Sequence, residues 1–446
     1  MTAITADAAS EPQWFGQPRG LTILFLTEMW EKFSYYGMRA LLVYYMTKQL
    51  LIPQAQSSLI YGGYTAFAYF TPLIGAVIAD QWLGRRRAVI IGGAVMALGH
   101  FMMTYPPLFY PALATIALGN GLFLPSLPSQ VNSLYPPRDP RRASAYNIYY
   151  AGINLGAFLS SIVCGWLGET FGWHWGFGAA GIGMLAGLVI YTWGGRYLPP
   201  QGMPARRGRA QNAAPPPAWE QGAGARIALL VAITVVVVLF RGAYEQSGNT
   251  VALWADEGID RAIGAGRQIP MTWFQAINPL AVMVFTPFIV ARWTRLAKRG
   301  RESSWMVKMS LGAAGVGVSF LMAAAITWWA AKAGVRAHWI WLVAFNIVLT
   351  VGELYILPVG LGLFGRLAPQ RIAALTIAIW FAPIFAGNLL AGYLGTFWGR
   401  LTHAEFFAMI GAVAFASAAL LLVFDRPARR MEAGAEADLA ALHTEP

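Results

Sequence analysis

Apolar residues in this 446-residue chain fall into long, nearly unbroken runs separated by short polar stretches. The runs occupy 20–50, 57–80, 87–105, 108–134, 143–166, 173–196, 227–248, 270–291, 305–331, 338–364, 372–396 and 403–424. A helix needs about 20 apolar residues to cross a hydrocarbon core ~30 Å thick, so the pattern predicts twelve membrane-spanning helices. A transmembrane barrel would write short segments alternating at every second residue, and the chain lacks them. The first ~20 residues do not run from basic to apolar as a cleaved leader does, so the first span is expected to serve as its own insertion signal.

Composition sharpens this picture. Hydrophobic residues make up 57% of the chain and charged residues 12%, about half the charge of a soluble domain. A net charge of +12 would suit a nucleic-acid partner if it were clustered, but the basic residues are spread over short loops between spans. With both termini in the cytoplasm, roughly two dozen of the 32 Lys and Arg face that side and about six the other, the asymmetry the positive-inside rule predicts. Trp173, Trp175, Trp328, Trp329, Trp339 and Trp341 then fall near the outer ends of spans, as an interfacial belt does. No nucleic-acid partner is expected.

The longest polar stretch, rich in Pro, Arg, Gly and Ala, divides the spans six and six. The expected organisation is a cytoplasmic tail over 1–19, a six-helix bundle over 20–197, a cytoplasmic linker over 198–225, a second bundle over 226–424 and a tail over 425–446. The linker reads either as a topology device or as a basic surface for lipid head groups. Six plus six helices around a cytoplasmic loop is the layout of the major facilitator superfamily, which works by alternating access. Cys164, the only cysteine, can form no intrachain disulfide and reads as a small buried hydrophobe.

Charges inside the spans single out candidate chemistry, because each costs about 2.5–3.5 kcal/mol at mid-membrane depth on insertion scales. The first span carries Glu28, Glu31, Lys32 and Arg39. At about 100° per residue these fall with Tyr35 on one polar stripe roughly 16 Å long. Carboxylates beside a cation in a desolvated site suit proton transfer, whereas packing alone needs far fewer charges. Arg241 and Glu245 occupy the seventh span and Glu353 the tenth. Arg39 and Glu245 reach similar depth in symmetry-equivalent spans, so they could pair as an outer gate. Glu353 suits a substrate amine or a proton. Four acids against three bases leaves one carboxylate free to hold a proton.

These residues stand in segments that resemble the proton-dependent oligopeptide transporter (POT/PTR) family. Glu28-Met-Trp-Glu31-Lys32-Phe-Ser-Tyr35-Tyr36-Gly-Met-Arg39 is similar to that family's Glu-x-x-Glu-Arg-Phe-x-Tyr-Tyr-Gly segment. Gly75 through Asp80 to Gly84 and Arg85 resembles the first family signature, and Tyr146-Asn-Ile-Tyr149-Tyr150-Ala-Gly-Ile-Asn154-Leu-Gly156 the second. Glu245-Gln246, Asn278-Pro279, Gly352-Glu353 with Pro358, Trp380-Phe381 and Gly387-Asn388 follow in the expected order. The resemblance implies a proton-coupled importer of di- and tripeptides, with Glu28, Glu31 and Lys32 in proton coupling. It implies further that Lys32 and Arg39 meet the peptide carboxylate and Glu353 the amino terminus. Tyr35, Tyr36, Tyr69, Asn154, Asn278 and Trp380 would line the pocket. It implies no cofactor beyond the proton gradient, a monomer in contact with membrane lipid, and a bacterial inner membrane.

The resemblance breaks at several points. Lys32 stands where the family has Arg, which keeps the charge and loses the planar fork. Leu124 and Ser126 replace a usual Lys and Asn, Leu357 replaces a Ser, and Arg241 stands where an aromatic residue is usual. The linker is too short for the two extra helices that many bacterial members carry. Arg241 is a candidate replacement for the cation missing at Leu124; its other reading is a plain i,i+4 partner of Glu245. Within the same fold, a permease for nitrate, an amino acid or another anion remains open, as does a nutrient sensor without transport. An enzyme is not expected. His100, His174, His338, His403 and His443 are scattered without ligand spacing, and no nucleophile motif stands out.

Overall fold

In the computed structural model, the residues described are 13–14, 16–136, 139–198, 222–264, 266–369, 380 and 382–442. Most of the linker and residues 370–379 of the eleventh span lie outside them. The chain divides into two compact units, Met1–Leu42 with Phe67–Asn212, and Val43–Ala66 with Ala213–Pro446.

The first unit is built from α1 (Arg19–Tyr44, up to Leu42), α2 (Gln54–Ile78, from Phe67), α3 (Arg85–Met102), α4 (Phe109–Ser126), α5 (Arg141–Phe171) and α6 (Trp173–Trp193). Its core gathers Leu24, Met96, Phe123, Val131 and Tyr191. The α2–α3 turn is set by Gly84 at φ +77°, a conformation that favours glycine. There Arg85 Nε lies 3.2 Å from Asp80. At the start of α5, Asp139 accepts from the Arg141 backbone N–H at 2.9 Å. Those Arg141 hydrogen bonds, first from its side chain and then from its backbone, hold the Asp139 carboxyl below its ordinary pKa.

The second unit contains the C-terminal end of α1 and the N-terminal part of α2 with α7 (Ala223–Tyr244), α8 (Ile277–Lys298), α9 (Trp305–Ala333), α10 (Trp339–Leu354), α11 (Ala382–Gly395) and α12 (His403–Val423). Ser304 caps α9 by accepting from Val307 N–H, and Thr402 with Glu405 forms a capping box on α12. The tail carries a helix over Asp425–Leu442, fastened where Ser304 donates to Asp425.

Nine helices among the described residues are long and apolar enough to cross a membrane. The other three expected spans have evident reasons for missing that measure. α1 carries the charged stripe, α3 opens on Arg85, Arg86 and Arg87, and α11 is described only from Ala382. Two spans read from sequence as continuous are broken. The seventh, expected over 227–248, stops at Tyr244, turns tightly through Glu245–Gly248 and resumes over Thr250–Glu257, beyond its expected end. The tenth stops at Leu354 and resumes over Leu357–Leu367. Pro358 explains the second break: it has no N–H to offer the preceding turn. At the first break, side chains take over from the helix ladder. Gln246 donates to the Ala391 carbonyl at 2.8 Å and accepts from Thr250 at 2.9 Å, and Ser58 donates to Asn249 at 3.0 Å.

Candidate functional site

In the first unit, α1 is gripped by glycine faces that bring its neighbours close. A Cβ added at Gly156 of α5 would stand 2.1 Å from the Met29 carbonyl oxygen, so only glycine fits. This contact sets Tyr149 beside Glu28 and Glu31. Lys32 Nζ lies 3.4 Å from Glu28 and 2.7 Å from Glu31, one ammonium shared by two carboxylates. All three are buried, Glu28 at 1% exposure, Glu31 at 0% and Lys32 at 9%. Glu28 Oε2 and Glu31 Oε1 receive no hydrogen bond among the described residues. Desolvated acceptors of this kind are costly and are retained where chemistry uses them.

The rest of the stripe continues along α1. The Lys32 ammonium stands 6.0 Å from the centroid of the Tyr35 ring, and the Tyr35 and Tyr36 rings meet edge-on at 5.2 Å. The Arg39 guanidinium lies 5.9 Å from the Tyr36 centroid. Tyr69 is half-buried. Asn154 is buried and donates to the Tyr150 carbonyl, one turn back, at 3.0 Å.

In the second unit the charges collect at the two helix breaks. Arg241 donates to Glu245 within one turn of α7, and its guanidinium stands 5.3 Å from the Tyr244 centroid. Both partners are buried. Space for the arginine comes from Gly387 of α11, where a Cβ would stand 2.2 Å from that of Arg241. Gly352 allows α10 to close on Gly312 of α9, since a Cβ on either would come within 2.7 Å of the other's carbonyl oxygen. That contact fixes Glu353, which accepts from Asn278 at 2.9 Å. Asn278 also donates to Thr350 at 2.9 Å and, at 3.4 Å, to Tyr244. The Tyr244 hydroxyl reaches Glu353 as well. Trp380 is buried with its ring 4.9 Å from Phe364.

The structure thus brings Glu28, Glu31 and Lys32 together, Arg241 with Glu245, and Asn278 with Glu353. Arg39 and Glu245 belong to different units. Tyr149, Tyr244 and Thr350 escaped the sequence-based selection of site residues. Tyr149 stood inside a quoted signature and Tyr244 directly before Glu245, whereas nothing local marked Thr350. No group of three or more His, Cys, Asp or Glu side chains placed to hold a metal ion occurs among the described residues.

A multi-pass, all-α membrane chain of six and six helices with buried charge clusters is a transporter of the major facilitator superfamily fold. The POT family model matches residues 86–206 and 222–413, and the chain belongs to that family. The peptide transporter YePEPT of Yersinia enterocolitica is 32% identical, over 86% of this chain and 88% of its own length. A di-/tripeptide transporter of Lactococcus lactis is 29% identical over 94% of this chain and 97% of its own. Among solved structures, a peptide transporter of this family in complex with sulfate superposes with a TM-score of 0.87 at 29% identity, covering 95% of this chain and 98% of its own. A family member in complex with 5-aminolevulinic acid gives 0.83 at 25% identity, covering 94% and 99%.

Proposed function

We propose that the chain is a symporter that imports di- and tripeptides with protons by alternating access. The observation that carries this reading is the buried pair of carboxylates on a single ammonium, Glu28 and Glu31 on Lys32. The cluster has one negative charge in excess, and one proton makes it neutral. In a low-dielectric site that difference decides which state is stable. Protonation of either glutamate releases Lys32 from half of its pairing and frees it for a peptide carboxylate. Arg39 shares that role, and Glu353, held by neutral donors, takes the peptide amino group. Tyr35, Tyr36, Tyr69, Asn154, Asn278, Trp380 and Arg241 complete recognition, and Arg39 with Glu245 closes the outer gate. Both termini are cytoplasmic, the membrane is a bacterial inner membrane, and the working unit is a monomer driven by the proton gradient.

The relatives' names support peptide as the substrate. A second reading, a permease for another small zwitterion or anion, is favoured by Arg241, a cation where an aromatic residue is usual, and by the relative bound to 5-aminolevulinic acid. Counterflow into proteoliposomes separates the two. Loaded with a dialanine-type peptide, vesicles should exchange labelled di- and tripeptide. Exchange of an amino acid, 5-aminolevulinic acid or nitrate in place of peptide would establish the second reading, and no exchange of any solute would contradict both.

A further inference from the structure

A groove of about 460 Å³ opens on the second unit where the end of α9 meets the start of α12. It belongs to neither charge cluster. Its mostly apolar lining includes Trp254, Ala330, Ala331 and Val335, and the exposed Lys332 and Arg336 stand on its rim. We propose that the groove binds an anionic phospholipid, with the phosphodiester on the rim and one acyl chain along the floor.

Charge decides the occupant. Lys332 lies 3.9 Å from the centroid of the Trp328 ring, an indole that orients it without neutralising it. Neither Lys332 nor Arg336 forms an ion pair among the described residues. Glu257, the one acid lining the groove, accepts from the Trp398 side chain, with His403 Nε2 3.7 Å away. Two rim cations against this one acid leave a net positive charge to meet one anionic group, and an apolar trough runs away from them. The exposed Trp328 and Trp329 place this end of α9 at the membrane–water boundary, where lysine extends its ammonium to the head groups along an apolar stem. A soluble anion would use the rim and leave the trough empty; a phospholipid uses both.

Native mass spectrometry of the purified full chain tests this with dioleoyl phosphatidylglycerol and dioleoyl phosphatidylethanolamine. Phosphatidylglycerol should be retained preferentially. The double variant Lys332→Ala/Arg336→Ala should lose about tenfold or more of that retention, as expected for two interfacial cations. Ala331→Trp, which fills the trough and leaves the charges in place, should lose it as well. Three results would each overturn the proposal: equal retention of both lipids, retention unchanged in the charge variant, or retention unchanged in Ala331→Trp. The last would reduce the rim to ordinary surface attraction. A dimer in place of the lipid adduct would also overturn it, assigning the groove to a second copy.

Discussion

The two units solve the same problem, carboxylates inside a membrane, in different ways. In the first, both acids and their cation sit on one unbroken helix at i, i+3 and i+4, and Lys32 is divided between Glu28 and Glu31. In the second, the acids sit at two helix breaks. Glu245 has an arginine within its own turn, and Glu353 is satisfied by Asn278. A shared cation must give up one partner to take another, so the first cluster is built to change state. A separately satisfied pair is built to persist. Under the proposed function, the α1 cluster would change state during transport, while the groups on α7 and α10 would keep their partners.

The largest effect should follow from breaking the shared ammonium. Lys32→Ala leaves two buried acids without a cation, at a cost of about 3–5 kcal/mol. Both driven uptake and counterflow should be lost, measurable in proteoliposomes, while Lys32→Arg should recover part of each. The Arg241–Glu245 pair should behave differently. Arg241→Ala should destabilise the protein by about 3 kcal/mol in thermal unfolding, and Arg241→Leu with Glu245→Leu together should restore most of that loss. Recovery of stability with transport still absent would give the pair a functional role besides. If Arg241→Ala leaves both transport and its pH dependence intact, the arginine does not replace the cation missing at Leu124.

Smaller effects should mark the periphery. Asn278→Ala removes one of the neutral donors to Glu353 and should raise the KM for dipeptide about three- to tenfold, in keeping with the net contribution of one hydrogen bond. An unchanged KM would remove Glu353 from recognition. Gly156→Ala should push α5 off α1 and cost about 1–3 kcal/mol through overpacking, read in thermal unfolding.

Much of this was legible in the sequence, for reasons that differ from residue to residue. The spans follow from hydropathy because a bilayer forbids unsatisfied backbone. The α1 stripe was visible because its members share one helix, so spacing alone placed them together. The breaks after Tyr244 and Leu354 were not legible. The first depends on side chains from Ser58 and on the Ala391 carbonyl, distant in the chain. Pro358 flagged the second only as one proline among 26. Thr350 and Tyr244 join the Glu353 site through Asn278, a contact that spacing cannot foresee. The glycines of the motifs made sense only once their opposing backbones were seen, as with Gly352 against Gly312.

The division of labour between the two units rests on the α1 carboxylates carrying the transported proton, and Glu28→Gln in proteoliposomes addresses that directly. Peptide uptake driven by a proton gradient should fall more than about a hundredfold, the scale of one buried charge, while counterflow at equal pH should remain. Equal loss of both activities would make Glu28 a structural residue, and driven uptake that persisted would remove it from coupling altogether.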